Sequence, residues 1–301
     1  MSNRLRLFLN LLVLALVAGF VAYMIVSVGS SETEYGEAPA EQEAFVGPCS
    51  VEASFAVPQG ARHIKLAGDT LFLASSDSVF LYGTDGRRLG SFGAPEGIAD
   101  IAVGGGLIYL LYPARITVLD ASGNFVREWE ACSDRSLYIS IALTSRYAFV
   151  TDAENKNICQ YTLEGGFVRF ISSPRGFVVP MPSFAVESYR DTVYCANPGR
   201  HTVESYSEDG AFLASFGIPG SKPGAFSGCS NPAFIAFTDS GLLLASEKGN
   251  PRVCLFERSG RFDRMMLNAG MLGGGHEAYE IQSAGNTIYV AGRAQIIAYK
   301  F

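Results

Sequence analysis

The strongest order in this chain is a recurring arrangement of apolar and turn positions. Over residues 51–301 no long stretch keeps the 3.6-residue spacing of an amphipathic helix. Short runs rich in Val, Ile, Tyr and Phe alternate with turns rich in Gly, Asn, Asp and Pro, which predicts an all-β protein. One unit repeats within that pattern. A β-branched residue is followed three positions later by an aromatic or Leu, four further on by Gly, and often by Phe two after that. The copies are Val79, Tyr82, Gly86; Ile116, Leu119, Gly123, Phe125; Ile158, Tyr161, Gly165, Phe167; Val203, Tyr206, Gly210, Phe212; and Val253, Phe256, Gly260, Phe262. A shortened sixth copy, Ile296 and Tyr299, ends the chain. The leading residues stand 37, 42, 45, 50 and 43 apart, which is the period of a four-stranded propeller blade.

Each copy carries the parts of such a blade. An inner strand comes first (100–103, 234–237), then a second strand (108–111, 193–196, 288–291). The third strand bears the repeated residues, and an outer strand follows (125–129, 212–216). The Gly after the third strand supplies the positive φ that its turn needs. Tyr82, Tyr161, Tyr206, Phe256 and Tyr299 are expected to pack between blades. The sixth copy stops after its third strand, while a spare strand, 51–57, precedes the first copy. Pairing of 51–57 with 295–301 would join the last blade to the first and remove an open sheet edge. The predicted fold is all-β: a six-bladed β-propeller of four-stranded antiparallel blades over residues 50–301, closed by the two ends of the domain.

The sequence ahead of this domain has a different character. Residues 7–28 are almost uninterrupted apolar sequence, and at 1.5 Å per residue they can cross a hydrocarbon core of about 30 Å. Arg4 and Arg6 precede the run. Glu32, Glu34, Glu37, Glu41 and Glu43 follow it, with no Lys or Arg before Arg62. The positive-inside rule then leaves residues 1–6 as a cytoplasmic tail and makes 7–28 a single transmembrane helix in contact with inner-membrane lipid. The domain is expected outside the cell membrane, in the periplasm if the source is bacterial. A cleaved signal peptide is the competing reading, although its apolar region would be only about 7–15 residues long. Residues 29–49 are acidic and small-residue-rich, and read as a flexible stalk.

The fifth repeat carries a family resemblance. It contains Phe216, Gly217, Ile218, Pro219, Gly220, then Asn231, Pro232, Ala233, Phe234, then Asp239, Ser240, Gly241. Glu247 follows the second strand, Asn250, Pro251, Arg252 and Val253 lead into the third, and Gly260, Arg261, Phe262 close the pattern. This resembles the NHL repeat. The third repeat (Asp152, Asn155, Asn157) and the fourth (Asn197, Arg200) match it more loosely, and the others only in their apolar frame. The resemblance implies a propeller scaffold and leaves activity open. Glu247 and Arg252 flank a tight connection, where the carboxylate is expected to accept from turn amides or from the guanidinium.

Composition narrows the function classes. The 301 residues are 48% hydrophobic with a formal net charge of −6, which excludes a disordered chain. No basic cluster is present, so no nucleic acid partner is expected. No HExxH, CxxC, GxSxG or Walker-type sequence occurs, and no two of the three His residues lie at metal-ligand spacing. Ligands can still converge at a propeller's central channel. His63, Asp100, Asp134, Asn231, His276 and Glu277 are the candidates there; calcium-dependent propeller lactonases build sites from such Glu, Asn and Asp positions, and a resemblance to them would imply calcium. Their plainer reading is as solvated rim residues and, for Asn231, as part of a turn.

Six cysteines add a second group. Cys132 and Cys229 stand at equivalent places before the inner strands of repeats three and five. Cys159 and Cys254 match each other in the third strands, and Cys195 lies in a second strand. Three readings stay open: small apolar residues of the core, a disulfide of which Cys132 and Cys229 are the first pair to test, and a thiolate-bound metal or redox site on Cys132, Cys229 and His201. The leading functional expectation is a membrane-tethered extracytoplasmic scaffold that binds a ligand or another membrane or extracytoplasmic protein. Its alternatives are a metal-dependent hydrolase or lyase resembling propeller lactonases, and a thiol-rich redox or metal-binding accessory protein.

Overall fold

The computed structural model describes residues 49–180 and 183–301, together with Leu16, Val17 and Gly19, which are helical. Apart from those three positions and Cys49, the expected tail, membrane helix and stalk lie outside the described residues. No helix among the described residues is long and apolar enough to cross a membrane.

The chain enters the ring through β1 (Ser50–Ala56). Blade one is β2 (His63–Ala67), β3 (Thr70–Ala74), β4 (Ser78–Gly83) and β5 (Arg88–Gly93). Blade two is β6 (Asp100–Gly104), β7 (Leu107–Tyr112), β8 (Arg115–Asp120) and β9 (Phe125–Glu130). Blade three is β10 (Tyr138–Leu143), β11 (Tyr147–Asp152), β12 (Asn157–Thr162) and β13 (Phe167–Ile171). Blade four is β14 (Val186–Tyr189), β15 (Thr192–Asn197), β16 (Thr202–Ser207) and β17 (Phe212–Phe216). Blade five is β18 (Phe234–Phe237), β19 (Leu243–Glu247), β20 (Arg252–Phe256) and β21 (Phe262–Leu267). Blade six is β22 (Ile281–Ala284), β23 (Thr287–Ala291) and β24 (Gln295–Lys300), completed by β1. Every blade is a four-stranded antiparallel sheet, and the six inner strands neighbour one another in the ring order β2, β6, β10, β14, β18, β22 and back to β2.

Burial follows position in the blade. The second and third strands are covered on both faces by adjacent blades, so β7 and β8 are buried along most of their length and read as near-continuous apolar runs. Outer strands are covered on one side. In β9, Phe125 and Val126 are exposed while Trp129 is buried. The ring is closed as expected: Ser54 of β1 pairs with Ile297 and Ala56 with Gln295, and Val57 N donates to Ala294 O at 3.0 Å.

The repeated pattern has a geometric cause. The third and fourth strands pair with a bulge just before the aromatic position, which sets Tyr161 opposite Phe167, Tyr206 opposite Phe212 and Phe256 opposite Phe262. These rings meet edge to face at 5.6 to 5.8 Å, a contact worth about 0.5–1.5 kcal/mol beyond its buried area. The aromatic also meets the preceding blade: Tyr161 stacks on Trp129 at 5.8 Å, Phe256 lies 5.6 Å from Phe216, and Tyr82 lies 5.6 Å from Phe55 of β1. The turn glycine is held by the same interface. A Cβ on Gly165 would lie 2.2 Å from Trp129 Cδ1, and one on Gly260 would lie 2.2 Å from Phe216 Cβ. The glycine therefore answers two demands, positive φ and close approach of the neighbouring blade.

Candidate functional site at the channel mouth

The start of each inner strand points to one end of the central channel. His63 opens β2, Asp100 opens β6 and Glu280 directly precedes β22. Blades six, one and two are neighbours in the ring, so these three residues meet although more than two hundred positions separate the outermost pair. His63 Nδ1 lies 3.4 Å from Glu280 Oε2, with side-chain exposures of 27% and 14%. One ligand atom from each of His63, Asp100 and Glu280 can be chosen so that all lie within 4.8 Å of one another. They line a cavity of about 220 Å³ together with Ser140 and Phe184.

Backbone amides hold both carboxylates in place. Asp100 Oδ1 accepts from Ile101 N at 2.7 Å, and its Oδ2 accepts from Ile141 N of blade three at 2.9 Å. Glu280 Oε2 accepts from Ile64 N at 3.2 Å. The Asp100 carboxyl is pushed up to about 6, by burial first and then by the Glu280 charge; His63 and the Ile141 amide pull it back only in part. Burial pulls His63 down, but its bond to Glu280 and the two carboxylate charges outweigh this, and its pKa rises. Deeper in the channel, Lys65 and Glu187 form an ion pair at 2.5 Å, and Glu187 holds Lys65 charged against the effect of burial. Lys65 pairs first with Glu187 and is also attracted by Asp100 and Glu280, while Arg62 acts on His63; the mouth itself presents two carboxylates and one imidazole. Such a group favours a bound cation.

The donor set also selects among cations. Calcium takes about 6–8 oxygen ligands, whereas one imidazole and two carboxylates with open positions suit a zinc-class divalent ion.

The other expected site residues lie elsewhere. Asn231 is fully buried; its Nδ2 donates to Ser227 O (2.6 Å) and Lys248 O (2.9 Å), and its Oδ1 accepts from Lys248 N (2.9 Å). It clasps two connections beside the cis Asn231–Pro232 bond. His276 Nδ1 sits 2.9 Å from Gly249 O, and Glu277 pairs with Arg293 at 2.9 Å on the surface. Asp134 is exposed in the turn before β10. Glu280 is the residue that sequence reasoning passed over. Its signal was its place, immediately before an inner strand as with Asp100, but the sixth copy matches the repeat too loosely to fix that alignment.

The cysteines separate as well. Cys132 Sγ lies 2.8 Å from Cys159 Sγ, not beside Cys229, and all six cysteines are free thiols. Cys229 is exposed; Cys195 and Cys254 are buried, and burial raises both thiols, Cys254 to about 12. His201 caps the short 3-10 turn Pro198–Arg200 with φ +57, and its Nδ1 is buried without a hydrogen-bond partner. Two groups of three or more His, Cys, Asp or Glu ligands are close enough to share an ion among the described residues, and neither contains Cys229, His201, His276 or Glu277.

The motif residues of the fifth repeat form a structural clasp. Arg252 Nε donates to Glu247 Oε1 at 2.7 Å, and its Nη2 donates to Glu247 Oε2 at 3.1 Å and to Ala225 O at 2.6 Å. Glu247 also accepts from Ser227 N at 2.8 Å. The 217–231 connection is pinned by these bonds and by fully buried Phe226. In blade four, Asn197 and Glu204 do related work: Asn197 Nδ2 donates to Glu204 at 2.8 Å, while its Oδ1 accepts from Val178 N at 2.9 Å.

No protein-family model matches the chain, and no curated protein matches it in sequence. Solved structures match it in shape. Virginiamycin B lyase from Staphylococcus aureus is 12% identical with a TM-score of 0.60, over 84% of this chain and 99% of that one. The Pan2 WD40 domain of Neurospora crassa is 8% identical with a TM-score of 0.57, over 84% and 95%. A protein of unknown function from Bacteroides thetaiotaomicron is 13% identical with a TM-score of 0.59, over 86% and 74%. At such identities the likeness shows the propeller fold alone, a fold shared by a lyase and by WD40 domains.

Proposed function

We propose that this chain is a membrane-tethered, extracytoplasmic binding propeller whose recognition site is the channel mouth at His63, Asp100 and Glu280, where a zinc-class divalent cation is held. The observation that carries the reading is the convergence of those three side chains from three blades on one open cavity. A rigid ring fixes their spacing, which is what a binding site needs from its scaffold. The apolar run 7–28 and the basic residues before it support the tether, and the tether would confine partners to the same membrane or the space outside it. The NHL-like fifth repeat supplies part of the frame rather than the site.

A second reading, a metal-dependent hydrolase or lyase, draws on the same cluster and on the likeness in fold to virginiamycin B lyase. A bound divalent ion with an open position would supply an activated water or polarise a carbonyl. His63, Asp100 and Glu280 would hold that ion, and the cavity they line with Phe184 would receive the substrate.

The test uses full-length protein in detergent, stripped with chelator and then titrated with zinc or calcium. Zinc is expected to raise the melting temperature by mass action, and His63→Ala and Glu280→Gln are expected to abolish the rise. Equal melting with and without zinc, at concentrations far above a tight site's Kd, overturns the mouth as a cation site. Crosslinking in membranes then separates the two readings. A partner lost on His63→Ala supports the scaffold; zinc-dependent turnover of ester or lactone probes with no partner supports the enzyme.

A further inference from the structure

We infer that Cys132 and Cys159 are joined by an intramolecular disulfide in the oxidised protein, a covalent clasp within blade three. Cys132 lies in the connection between β9 and β10, and Cys159 lies in β12 of the blade that β10 begins. Their sulfurs are 2.8 Å apart across 27 positions of sequence. The surroundings hold both partners in register. Tyr138 Oη accepts from Cys132 N at 2.9 Å, donates toward Cys132 Sγ at 3.3 Å, and meets Tyr161 Oη at 2.5 Å. Tyr138 and Tyr161 are themselves fully buried, so the connection is fixed on the blade beside the Cys159 side chain.

A metal is the competing occupant, because Asp152 completes a group of three possible ligands with these cysteines. The separation of the sulfurs argues against it. Two sulfurs bound to one tetrahedral ion at about 2.3 Å each stand about 3.8 Å apart, well beyond the separation seen here. Asp152, for its part, holds the loop: Oδ1 accepts from Leu137 N and Asn155 N, both at 3.1 Å, and Oδ2 accepts from Asn155 Nδ2 at 2.8 Å. Cys159 is wholly buried and burial raises its thiol, which disfavours a pair of thiolates facing each other without an ion.

The chemistry is thiol–disulfide exchange with an oxidised dithiol carrier. Cys132, the more exposed of the two, attacks the carrier's disulfide as a thiolate. A Cys132–carrier bond forms, and the carrier's other sulfur leaves as a thiolate. Cys159 then gives up its proton and attacks Cys132 Sγ, and the second carrier sulfur departs. Two protein thiols are oxidised to one disulfide, the carrier disulfide is reduced to two thiols, and the two protons pass to the carrier sulfurs. The bond ties the loop before β10 to the middle of the blade. The inner strand of the same blade carries Ser140 and Ile141, which border the channel mouth. The inference does not depend on the cation reading of that mouth.

The experiment is peptide mapping of full-length protein, exposed to oxidised glutathione and trapped by alkylation before digestion. The expected result is one linked pair, Cys132 with Cys159, and alkylated Cys49, Cys195, Cys229 and Cys254. Reductant is expected to lower the melting temperature of this form and to leave that of Cys132→Ser unchanged. Cys132→Ser is the variant of choice because its position is half-buried; Cys159→Ser in the buried strand serves only as a second mapping sample. Alkylation of all six cysteines overturns the inference, as does a Cys132–Cys229 link. Stoichiometric zinc that is retained by the wild type and lost in Cys132→Ser overturns it in favour of a metal.

Discussion

Replacing Gly165 by Ala tests how closely the blades approach. Gly165 has φ +98, and a Cβ there would lie 2.2 Å from Trp129 Cδ1 and 2.5 Å from its Nε1. Two penalties combine. Holding an L side chain at such a φ costs about 1–3 kcal/mol, and overpacking a filled interface costs about another 1–3 kcal/mol. Trp129 cannot swing away freely, because it stacks on Tyr161 and meets Tyr109 edge-on at 5.5 Å. Gly249 isolates the first penalty: its φ is +88, yet nothing lies within 4 Å of the added Cβ. Urea denaturation followed by far-UV circular dichroism should therefore show Gly165→Ala weaker than Gly249→Ala by about 1–3 kcal/mol. A Trp129→Leu background should shrink that gap, since the atoms met by the new methyl are gone. Equal losses at Gly165 and Gly249, or a gap untouched by Trp129→Leu, refute the claim that the turn glycine is selected by the neighbouring blade.

Glu247→Gln strands the buried Arg252 guanidinium and should cost about 3–5 kcal/mol in the same denaturation assay, whereas the double change Glu247→Leu with Arg252→Met should recover much of that loss. Asn231→Ala removes three hydrogen bonds and leaves Lys248 N without its acceptor, for a loss of about 2–4 kcal/mol; zinc affinity measured by calorimetry should not change, which separates a clasp from a ligand. The pH response of metal-free protein follows from Asp100, whose pKa of about 6 lies above its ordinary 3.8. The folded state binds more protons than the unfolded chain between those values, so this contribution is present at acid pH and lost as pH rises through 6, by up to about 3 kcal/mol. His63, also raised, loses its contribution in the same direction above pH 6.5. Melting temperatures in chelator across pH 4–8 should show Asp100→Asn with a flatter decline than wild type; an unchanged slope contradicts the assignment.

The sequence alone determined the ring. Third strands from Val79 to Ile296 carry the β-branched and aromatic residues that a doubly covered strand requires, and their spacing counts the blades. The surplus strand at 51–57 and the missing outer strand of the last copy determined the closure, because an unpaired sheet edge in each would otherwise remain. The clasp at Glu247 and Arg252 was legible too, since a carboxylate and a guanidinium beside a tight connection have few other uses. The tertiary structure alone decided which side chains meet. His63, Asp100 and Glu280 come from the first, second and sixth blades, so their proximity is a property of ring closure, and no local spacing encodes it. Cys132 and Cys229 look equivalent by repeat position. Yet Cys159, in the third strand of Cys132's own blade, is the thiol it touches, because antiparallel strands fold back within one sheet while equivalent positions two blades apart are held apart by the ring itself.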